Sequence, residues 1–566
     1  MKNAKLLLIL FIVLFFSFPG CEAENRSETE DDDKDSGTVD AAYGNDDAST
    51  DTDTDSDSDS DSDSDFDSPK TCEEAIESRS NIGCEYWAAD LDNAENRLGT
   101  DNAAGGQFAV AVANIGDNGT ASVEVHINTA DPGEALDLQL VEETDIAEGD
   151  LYIFNLPRRD VDGENVTKHI DDGPQTWYSS RAFRITSSIP VVAYQFNPIN
   201  QMFSNDASLL LPTSGIGKDH LILGYPPSGP FEYMIGGKIE GPRNHGYITV
   251  LGVEEDTLVK VTPTFEIMAG EGIDKIEKGT TAEFTIGPFD VLNLETKFVK
   301  YTELFDGLPD LSGSVVRADK PVVVFFGTDL SVVSNGDKFE DSCCAEHLEQ
   351  QILPSEAMGK KFVVTHSAPR DPASPEEDFY RIMAYLDGTQ VTTNLAPPND
   401  SFTLNRGKFK QFFINKGFVV ESTGPLHIAQ LLVSQGDTQA MIGDSSLLYV
   451  PAVDQRRGLY VFATGKNFSR HHAVISMENG TKAMIDGKDV ATTCAGPTED
   501  GELDGKVYES WVCDIEEGVH EVHSGDSPEN ANKPIAVMSY GYYSAGSYAY
   551  PAGSDLREIN DDVIVE

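Results

Sequence analysis

The stretch GSVVRADKPVVVFFG, residues 313–327, shows the pattern that decides the fold of this chain. It contains a first strand, a short polar turn that ends in Pro321, and a second strand that is apolar at every position. Proline is tolerated at the first residue of a strand, and a continuous apolar run predicts a central strand with both faces buried. The pattern occurs three more times, as AFRITSSIPVVAYQF (182–196), GFVVESTGPLHIAQLLV (417–433) and HEVHSGDSPENANKPIAVMSYGY (520–542).

Strand signals on both sides extend each copy to about six strands. Before the pattern stand two segments across a polar turn, as in YRIMAYLDGTQVTTNL (380–395), where Asp387-Gly388 is a strong hairpin signal. After it stands a further element such as SLLLPTSGIGKDHLIL (208–223), which is reduced in the last copy to SYAYPAG (547–553). We therefore place four internal repeats near residues 107–225, 245–365, 378–464 and 470–553.

These repeats predict an all-β body over residues 71–553. Two packed antiparallel sheets per copy would bury both the alternating and the continuous strands, so the leading prediction is a tandem of β-sandwich-like modules. The alternative is a single β-propeller-like ring, because four blades lie within the known range of propellers. Residues 554–566 are predicted to form an acidic C-terminal tail.

The first twenty residues have the features of an export signal. Lys2 and Lys5 precede the apolar run LLLILFIVLFFSF, which is too short for a membrane-spanning helix and ends before Cys21. Gly20-Cys21 resembles the end of a bacterial lipobox, so Cys21 is the predicted lipidation site and membrane anchor. Glu22 after this cysteine resembles the pattern of outer-membrane lipoproteins. The alternative is cleavage after Ala23, which would give a secreted protein.

An acidic linker follows at residues 21–70 and ends in an Asp-Ser repeat. The stretch Glu22–Lys70 carries twenty acidic and three basic residues, and like charges along it predict an extended, disordered stalk. The whole chain has 97 acidic and 40 basic residues, a formal charge of −57, which excludes nucleic acid as a partner. The linker lacks the glycine and glutamate of an EF-hand loop, so only weak association with Ca²⁺ is expected, and no other cofactor.

The remaining six cysteines support export to an oxidising compartment. Proximity along the chain suggests that Cys72 pairs with Cys84 and Cys494 with Cys513. Adjacent Cys343 and Cys344 form either a strained vicinal disulfide or free thiols. A soft-metal site formed by these two cysteines with His347 is not expected, because adjacent cysteines reach one tetrahedral ion only with strain.

Catalytic and metal-binding motifs are not found in the sequence. His520 and His523 stand three apart in a strand-turn context and are interpreted as surface residues, while His471-His472 is interpreted as a polar strand end. No nucleophile elbow is present, and closely spaced carboxylates mean little among 97. We predict no catalytic, cofactor or metal residues.

One non-catalytic segment, YGYYSAGSYAYPAG, is a candidate binding loop. Exposed tyrosines among small residues are typical of adhesive surfaces. The favoured alternative is a terminal strand pair whose aromatic rings complete the last repeat. The tyrosines concerned are Tyr540, Tyr542, Tyr543, Tyr548 and Tyr550.

Several long segments resemble the IgGFc-binding protein N-terminal domain family. They are CEEAIESRSNIGCEYWAADLDN from Cys72, AFRITSSIPVVAYQFNPINQMFSNDASLLLPTSGIG from Ala182, CCAEHLEQQILPSEAMGKKFVV from Cys343, and YGYYSAGSYAYPAG from Tyr540. The family occurs in animal mucus-associated proteins and in bacterial surface lipoproteins, and the leader and linker resemble the bacterial branch. The resemblance implies an extracellular binding protein, without implying that immunoglobulin is its ligand.

The expected function is therefore that of a non-enzymatic, surface-anchored lipoprotein that presents β modules for adhesion or for binding an extracellular protein, glycan or matrix. The competing class is an extracellular polymer hydrolase acting through a carboxylate-lined cleft. A structural coat component is a third possibility.

Overall fold

The repeats fold into four modules of one topology, as seen in a computed structural model. The predicted signal peptide and all but the last two residues of the predicted linker lie outside the residues that the structure describes. The described residues are 69–94, 103–115, 118–163, 173–200, 204–228, 234–235, 238–239, 244–298, 308–335 and 344–563.

Module 1 is organised by one long strand. The first half of β7 (Phe183–Asn197) pairs with β3 (Ala121–Asn128), and its second half pairs with β2 (Ala109–Ala113). This strand therefore belongs to two antiparallel sheets. We name β4-β3-β7-β1 the cover sheet and β5-β2-β7-β8 the blade sheet. The elements up to the end of the module are α1 (Cys72–Ser78), β1 (Gly83–Ala88), β2 (Ala109–Ala113), β3 (Ala121–Asn128), β4 (Leu138–Ile146), β5 (Leu151–Asn155), β6 (Trp177–Ser179), β7 (Phe183–Asn197) and β8 (Asp206–Leu209).

Module 2 repeats this arrangement around a second long strand. Its cover sheet has the order β14-β13-β16-β9 and its blade sheet the order β15-β12-β16-β17, with β6 added outside β15. Its strands, with the separate hairpin β10-β11, are β9 (Gly217–Leu221), β10 (Met234–Ile235), β11 (Lys238–Ile239), β12 (Gly246–Gly252), β13 (Thr257–Thr262), β14 (Ala282–Ile286), β15 (Val291–Glu295), β16 (Val315–Ser331) and β17 (Glu346–Gln351).

In module 3 the long strand is divided into two consecutive strands. The cover sheet is β21-β20-β23-β18 and the blade sheet is β22-β19-β24-β25. The strands are β18 (Lys361–Val364), β19 (Asp378–Ala384), β20 (Thr389–Thr393), β21 (Ser401–Leu404), β22 (Phe409–Ile414), β23 (Phe418–Ser422), β24 (Leu426–Leu432) and β25 (Ser446–Tyr449).

Module 4 has the same division. Its cover sheet is β29-β28-β32-β26, and its blade sheet is β31-β27-β33-β34 with β30 added outside β31. Its elements are β26 (Leu459–Ala463), β27 (Arg470–Glu478), β28 (Ala483–Ile485), β29 (Lys488–Asp489), α2 (Val490–Thr493), β30 (Ala495–Leu503), β31 (Lys506–Ile515), β32 (Val519–Ser524), β33 (Ala536–Tyr542) and β34 (Ser547–Pro551).

The tight turns predicted as hairpins connect facing sheets instead. Gly388 and Gly480 have positive φ, as tight turns require, so the turns themselves are confirmed. However, β19 lies in a blade sheet and β20 in a cover sheet, and β27 and β28 are divided in the same way. The prediction that these strands pair with each other is wrong, because later strands of the module pair with them instead, as β24 does with β19 and β23 with β20.

The four blade sheets close into a ring. The last strand of each blade sheet is innermost. Strands β8 and β25 each lie against both β17 and β34. Hydrogen bonds join modules that are far apart in sequence, such as that from the Tyr194 hydroxyl to the Ala552 carbonyl at 2.8 Å. The two predicted architectures are thus combined, because the blade sheets form a four-membered propeller-like ring and each carries a second, packed sheet.

Shared hydrophobic cores join neighbouring modules. One core contains buried residues of modules 1 and 4 together with Tyr247 and Phe325 of module 2. A second joins modules 2 and 3, and a third joins modules 3 and 4. Each module buries part of its apolar surface only against a neighbouring module. The four modules therefore form one cooperatively folding unit and not four independent domains.

The boundaries of the predicted modules are displaced by one strand. The element 208–223 supplies the last strand of module 1 and the first strand of module 2, so the modules span 83–209, 217–351, 361–449 and 459–551. The predicted C-terminal tail also begins as part of the body. Leu556 is buried, and its N–H donates to the Arg79 carbonyl at 2.7 Å, which places the two ends of the ring side by side.

Candidate binding surfaces and buried carboxylates

The predicted tyrosine loop is a buried strand pair. Four of its tyrosines lie in β33 and β34 and are at most 1% exposed, whereas Tyr543 in the intervening turn is partly buried. The ring of Tyr550 packs on Tyr194 of module 1, with ring centroids 5.0 Å apart. An exposed binding loop here is therefore wrong, and the alternative, a terminal strand pair that completes the last module, is confirmed. The four buried tyrosines are Tyr540, Tyr542, Tyr548 and Tyr550.

Both disulfides suggested by chain proximity are present. Cys72–Cys84 joins α1 to β1, and Cys494–Cys513 joins the start of the β30 region to β31. Cys344 is also disulfide-bonded, which leaves it no free thiolate for a soft metal. Cys343 and the predicted lipidation site Cys21 lie outside the described residues.

The histidines interpreted as surface residues are buried. His520 and His523 are 5% and 3% exposed, and both belong to β32, an interior strand of the module 4 cover sheet between β26 and β28. His471 and His472 are likewise buried, on β27, and His472 Nδ1 lies 2.8 Å from the Asp514 carboxylate. Within the described parts of the chain, no histidine belongs to a group of three side chains that could share one metal ion.

Buried carboxylates lie along the innermost strands at the ring axis. Asp206 of β8 accepts a hydrogen bond from the Ser446 hydroxyl of β25 at 2.7 Å and from the Glu349 N–H of β17 at 3.1 Å. Glu346 at the start of β17 accepts from the Asn205 N–H. Desolvation raises the pKa of Asp206 and of Glu346 well above the usual range. These acids therefore act at neutral pH as hydrogen-bonding links between strands of different modules.

A histidine and a glutamate form a neutral pair in the same region. His347 Nε2 lies 3.2 Å from Glu349 Oε2, and the other oxygen of Glu349 accepts from the Gln195 amide at 3.1 Å. Burial raises the pKa of Glu349 to about 8 and lowers the pKa of His347 to about 4. At neutral pH the protonated carboxyl therefore donates to the neutral imidazole, and the two do not form an ion pair.

A small cavity lies where the four innermost strands end. Its volume of about 20 Å³ has room for about one water molecule. Leu209, Gln351, Tyr449 and Pro551 line it, one from each innermost strand. The side chains of the ring thus fill its axis at this level.

Three aspartates of module 1 gather without being close in sequence. Asp92 follows β1, while Asp160 and Asp162 follow β5; all three are buried, and one oxygen of each lies within 4.8 Å of the others. Desolvation, with nearby Asp329, raises the pKa of Asp92 well above its ordinary value, whereas Arg158 lies 2.7 Å from Asp160. Although the sequence predicted no metal site, this geometry could accommodate an oxygen-preferring divalent cation.

The exposed apolar surface is concentrated on one edge strand. Leu136, Leu138 and Leu140, at alternating positions on β4 and its approach, are 40%, 43% and 45% exposed. They lie at the outer edge of the module 1 cover sheet. No sequence-based prediction above includes this surface, although the alternation in DLQLVEETD (137–145) indicates a strand with leucines on one face.

Comparison with known proteins identifies the family. No curated protein and no solved structure matches the chain. In the described part of the chain, no helix combines the length and apolar character needed to cross a membrane. The family model described as IgGFc binding protein matches residues 206–541, from the last strand of module 1 into β33. Since this match covers more than half of the chain, the protein belongs to the IgGFc-binding protein family.

Proposed function

We propose that this chain is a non-enzymatic, surface-anchored lipoprotein whose ring of β modules binds an extracellular protein, glycan or matrix component. The family description names a binding activity, which supports the coarse assignment to extracellular binding. Two disulfides within the body fit an oxidising, extracellular location. Cys21 supplies the lipid anchor in this proposal, and the acidic linker holds the ring away from an outer membrane.

The observation that carries the proposal is the closure of the modules around a filled axis. Shared cores make the ring rigid, and the axial cavity is too small for a ligand larger than water. The carboxylates at the ring axis, Asp206, Glu346 and Glu349, are buried and take part in hydrogen bonds between modules. Binding therefore falls to the outer edges and connecting loops, as is usual where a rigid scaffold displays a variable surface.

Array binding by the purified full chain tests the binding function. We expect saturable binding to one class of extracellular protein or glycan, without chemical change in that ligand. The hydrolase alternative predicts turnover of a polymer that Asp92→Asn or Asp160→Asn abolishes, and the coat alternative predicts self-association in light scattering. Either result in place of ligand binding would contradict the proposal.

Membrane fractionation tests the anchor. We expect Cys21→Ala to move the protein from the membrane fraction into the soluble fraction, because no lipid can then be attached. The matched control is Ala23→Leu, which blocks the alternative cleavage after Ala23 and leaves the cysteine intact. A natural chain in the soluble fraction that Ala23→Leu retains in the membrane fraction would show that cleavage follows Ala23, and retention of Cys21→Ala would show that another anchor operates.

A further inference from the structure

Strand β4 has a free edge. It is the terminal strand of the module 1 cover sheet and pairs antiparallel with β3 over Ala121–Asn128. Within the described residues, no other strand pairs with its opposite side. The outward N–H and C=O groups of such an edge can accept a further strand, which is why natural proteins usually protect edges of this kind.

The leucine side chains of β4 lie on the outer face of the sheet. Leu138 is opposite Asn128 and Leu140 is opposite His126, while the neighbouring Ile127 of β3 points into the core. The three leucines at 136, 138 and 140 therefore form a row with a two-residue period, at the spacing of side chains on one face of a strand. We call this row the leucine row.

The equivalent strands of the other modules lack these features. Strand β4 has nine residues, whereas β14 has five, β21 four and β29 two. The exposed side chains of β14 are Glu283 and Thr285, and those of β21 are Ser401 and Thr403. Three modules thus have short, polar edges, and module 1 alone among them has a long edge with exposed leucines.

The segment of chain that carries the leucine row is acidic. Residues 131–150 include eight acidic residues and no lysine, arginine or histidine. Glu143 and Asp145 of β4 share the outer face with the leucine row, since they lie opposite Glu124 and Ser122 of β3. This charge disfavours a second copy of the chain, which carries a net charge of −57, and favours a basic partner.

We propose that β4 is a docking edge for an extended basic segment of a partner protein, which adds to the cover sheet as a fifth antiparallel strand. The proposal rests on the proposed binding function and names the chemistry of the ligand. Main-chain hydrogen bonds hold the added strand, and its outer-face side chains give specificity. In antiparallel register the partner first presents basic residues to Asp145 and Glu143, and then apolar residues to the leucine row.

A bulge in β4 fits this register. Val125 is opposite Glu142 and His126 is opposite Leu140, so Val141 is the extra residue. It separates the acidic half of the strand from the apolar half. To a partner strand running antiparallel, the outer face of β4 therefore presents the carboxylates of Asp145 and Glu143 and then Leu140 and Leu138, followed by Leu136 just before the strand.

Fluorescence anisotropy with designed peptides tests the register. The probe is the labelled peptide Lys-Thr-Lys-Thr-Val-Thr-Val-Thr-Val, added to the purified full chain. One control peptide has the reversed sequence, with the same charge and composition. The other carries N-methyl groups on the backbone amides that face β4. We expect the probe to bind at least about tenfold more tightly than either control, because only the probe can form the ladder in the proposed order.

Variants locate the binding. The double substitution Leu138→Thr with Leu140→Thr keeps a strand-compatible side chain and removes the apolar surface, so probe affinity should fall about tenfold or more. Glu283→Thr on β14 is the matched edge control and should leave affinity unchanged. Equal binding of the probe and of both control peptides would show non-specific attraction to an acidic protein and would overturn the proposal.

Two further outcomes separate this proposal from the proposed function. Array ligands that bind the leucine double variant as well as the natural chain would leave the binding function in place and exclude β4 as its site. Probe binding in the predicted register, together with an array on which no ligand binds the chain, would support the docking edge. This result would count against the broader binding function. A dimer in sedimentation that the double variant abolishes would identify a second copy as the occupant and overturn the basic-partner proposal.

Discussion

The innermost strands of the ring and the edge strands of the cover sheets follow opposite rules. Every residue of β8, β17, β25 and β34 is buried, and side chains on these strands hydrogen-bond across module boundaries. The edge strands β4, β14, β21 and β29 differ in length from nine residues to two and expose different side chains. Packing against the other modules restricts the side chains at the axis, whereas few contacts restrict those at an edge, so the modules differ most at their edge strands.

The largest effect is expected from a change at the axis. Tyr550→Ala should lower the free energy of unfolding by about 3–5 kcal/mol, because it leaves a cavity between modules 4 and 1. The matched control is Tyr543→Ala in the adjacent turn, where the ring is only partly buried and the cost should be about 1 kcal/mol. Urea denaturation followed by tryptophan fluorescence measures both. Equal losses in the free energy of unfolding for the two variants would contradict the proposed difference between the axis and the periphery.

A smaller loss is expected from the periphery of module 4, where a covalent link supplements packing. Replacing Cys494 and Cys513 together by serine should lower the free energy of unfolding by about 2–4 kcal/mol, since the bond closes a loop of 19 residues. The denaturation midpoint of the double variant should differ from that of the natural chain. It should also differ from that of a variant in which Cys72 and Cys84 are both replaced by serine. An unchanged midpoint would show that the blade sheet holds this region without the bond.

The buried carboxyl of Glu349 should make stability depend on pH. Its pKa is raised to about 8 in the folded protein from an ordinary value of 4.5, so folding favours the protonated form. The resulting stabilisation is complete below pH 4.5 and is lost as the pH rises through about 8. Glu349→Gln, which keeps a donor toward His347, should cost about 1 kcal/mol or less at pH 5.

Relative to the natural chain, Glu349→Gln should gain stability between pH 5 and pH 8.5. Urea midpoints at pH 5, 7 and 8.5 test this, with Glu283→Gln on the exposed edge as the matched control. Parallel pH profiles for the natural chain and Glu349→Gln would mean that the axial carboxyl is ionised throughout, contrary to the effect of its burial.

The smallest effect belongs to the edge. Leu140→Thr should change the free energy of unfolding by about 0.5 kcal/mol or less, because nearly half of the leucine side chain is already in water. Thermal melting of the natural chain and the variant is sufficient to measure this. A loss of several degrees in Tm would indicate that Leu140 is packed inside the body, which would remove the basis for a docking edge.

Local sequence patterns predicted the strands well. The continuous apolar run 322–326 is fully buried, and Pro190 and Pro321 lie where β7 and β16 pass from one sheet to the other. Both chain-adjacent disulfides formed as suggested. These features depend on neighbours in sequence, which a single chain displays directly.

Strand pairing and side-chain burial depend on residues that are distant in sequence. The predictions that were wrong or left open concern these two properties. Asp387-Gly388 fixes a tight turn but does not determine which sheet receives the next strand. The small residues around the C-terminal tyrosines fit both an exposed loop and the favoured strand pair, and the contact that decides between them is tertiary, since a Cβ at Gly541 would lie 2.0 Å from the ring of Tyr548. Glycine is needed there so that a buried ring can lie on the backbone. The aspartates at 92, 160 and 162 could not be distinguished among 97 acidic residues without the fold.

Under the proposed N-terminal lipid anchor, the bond between Cys72 and Cys84 has a mechanical consequence. A pulling force applied at Lys70 would reach the first helix, a seven-residue segment that is too short to resist tension alone. The sulfur bridge passes that load directly to β1, which is paired along its length with β7. Drag on the exposed ring would therefore be borne by a sheet of the first module, and unravelling would stop at the helix.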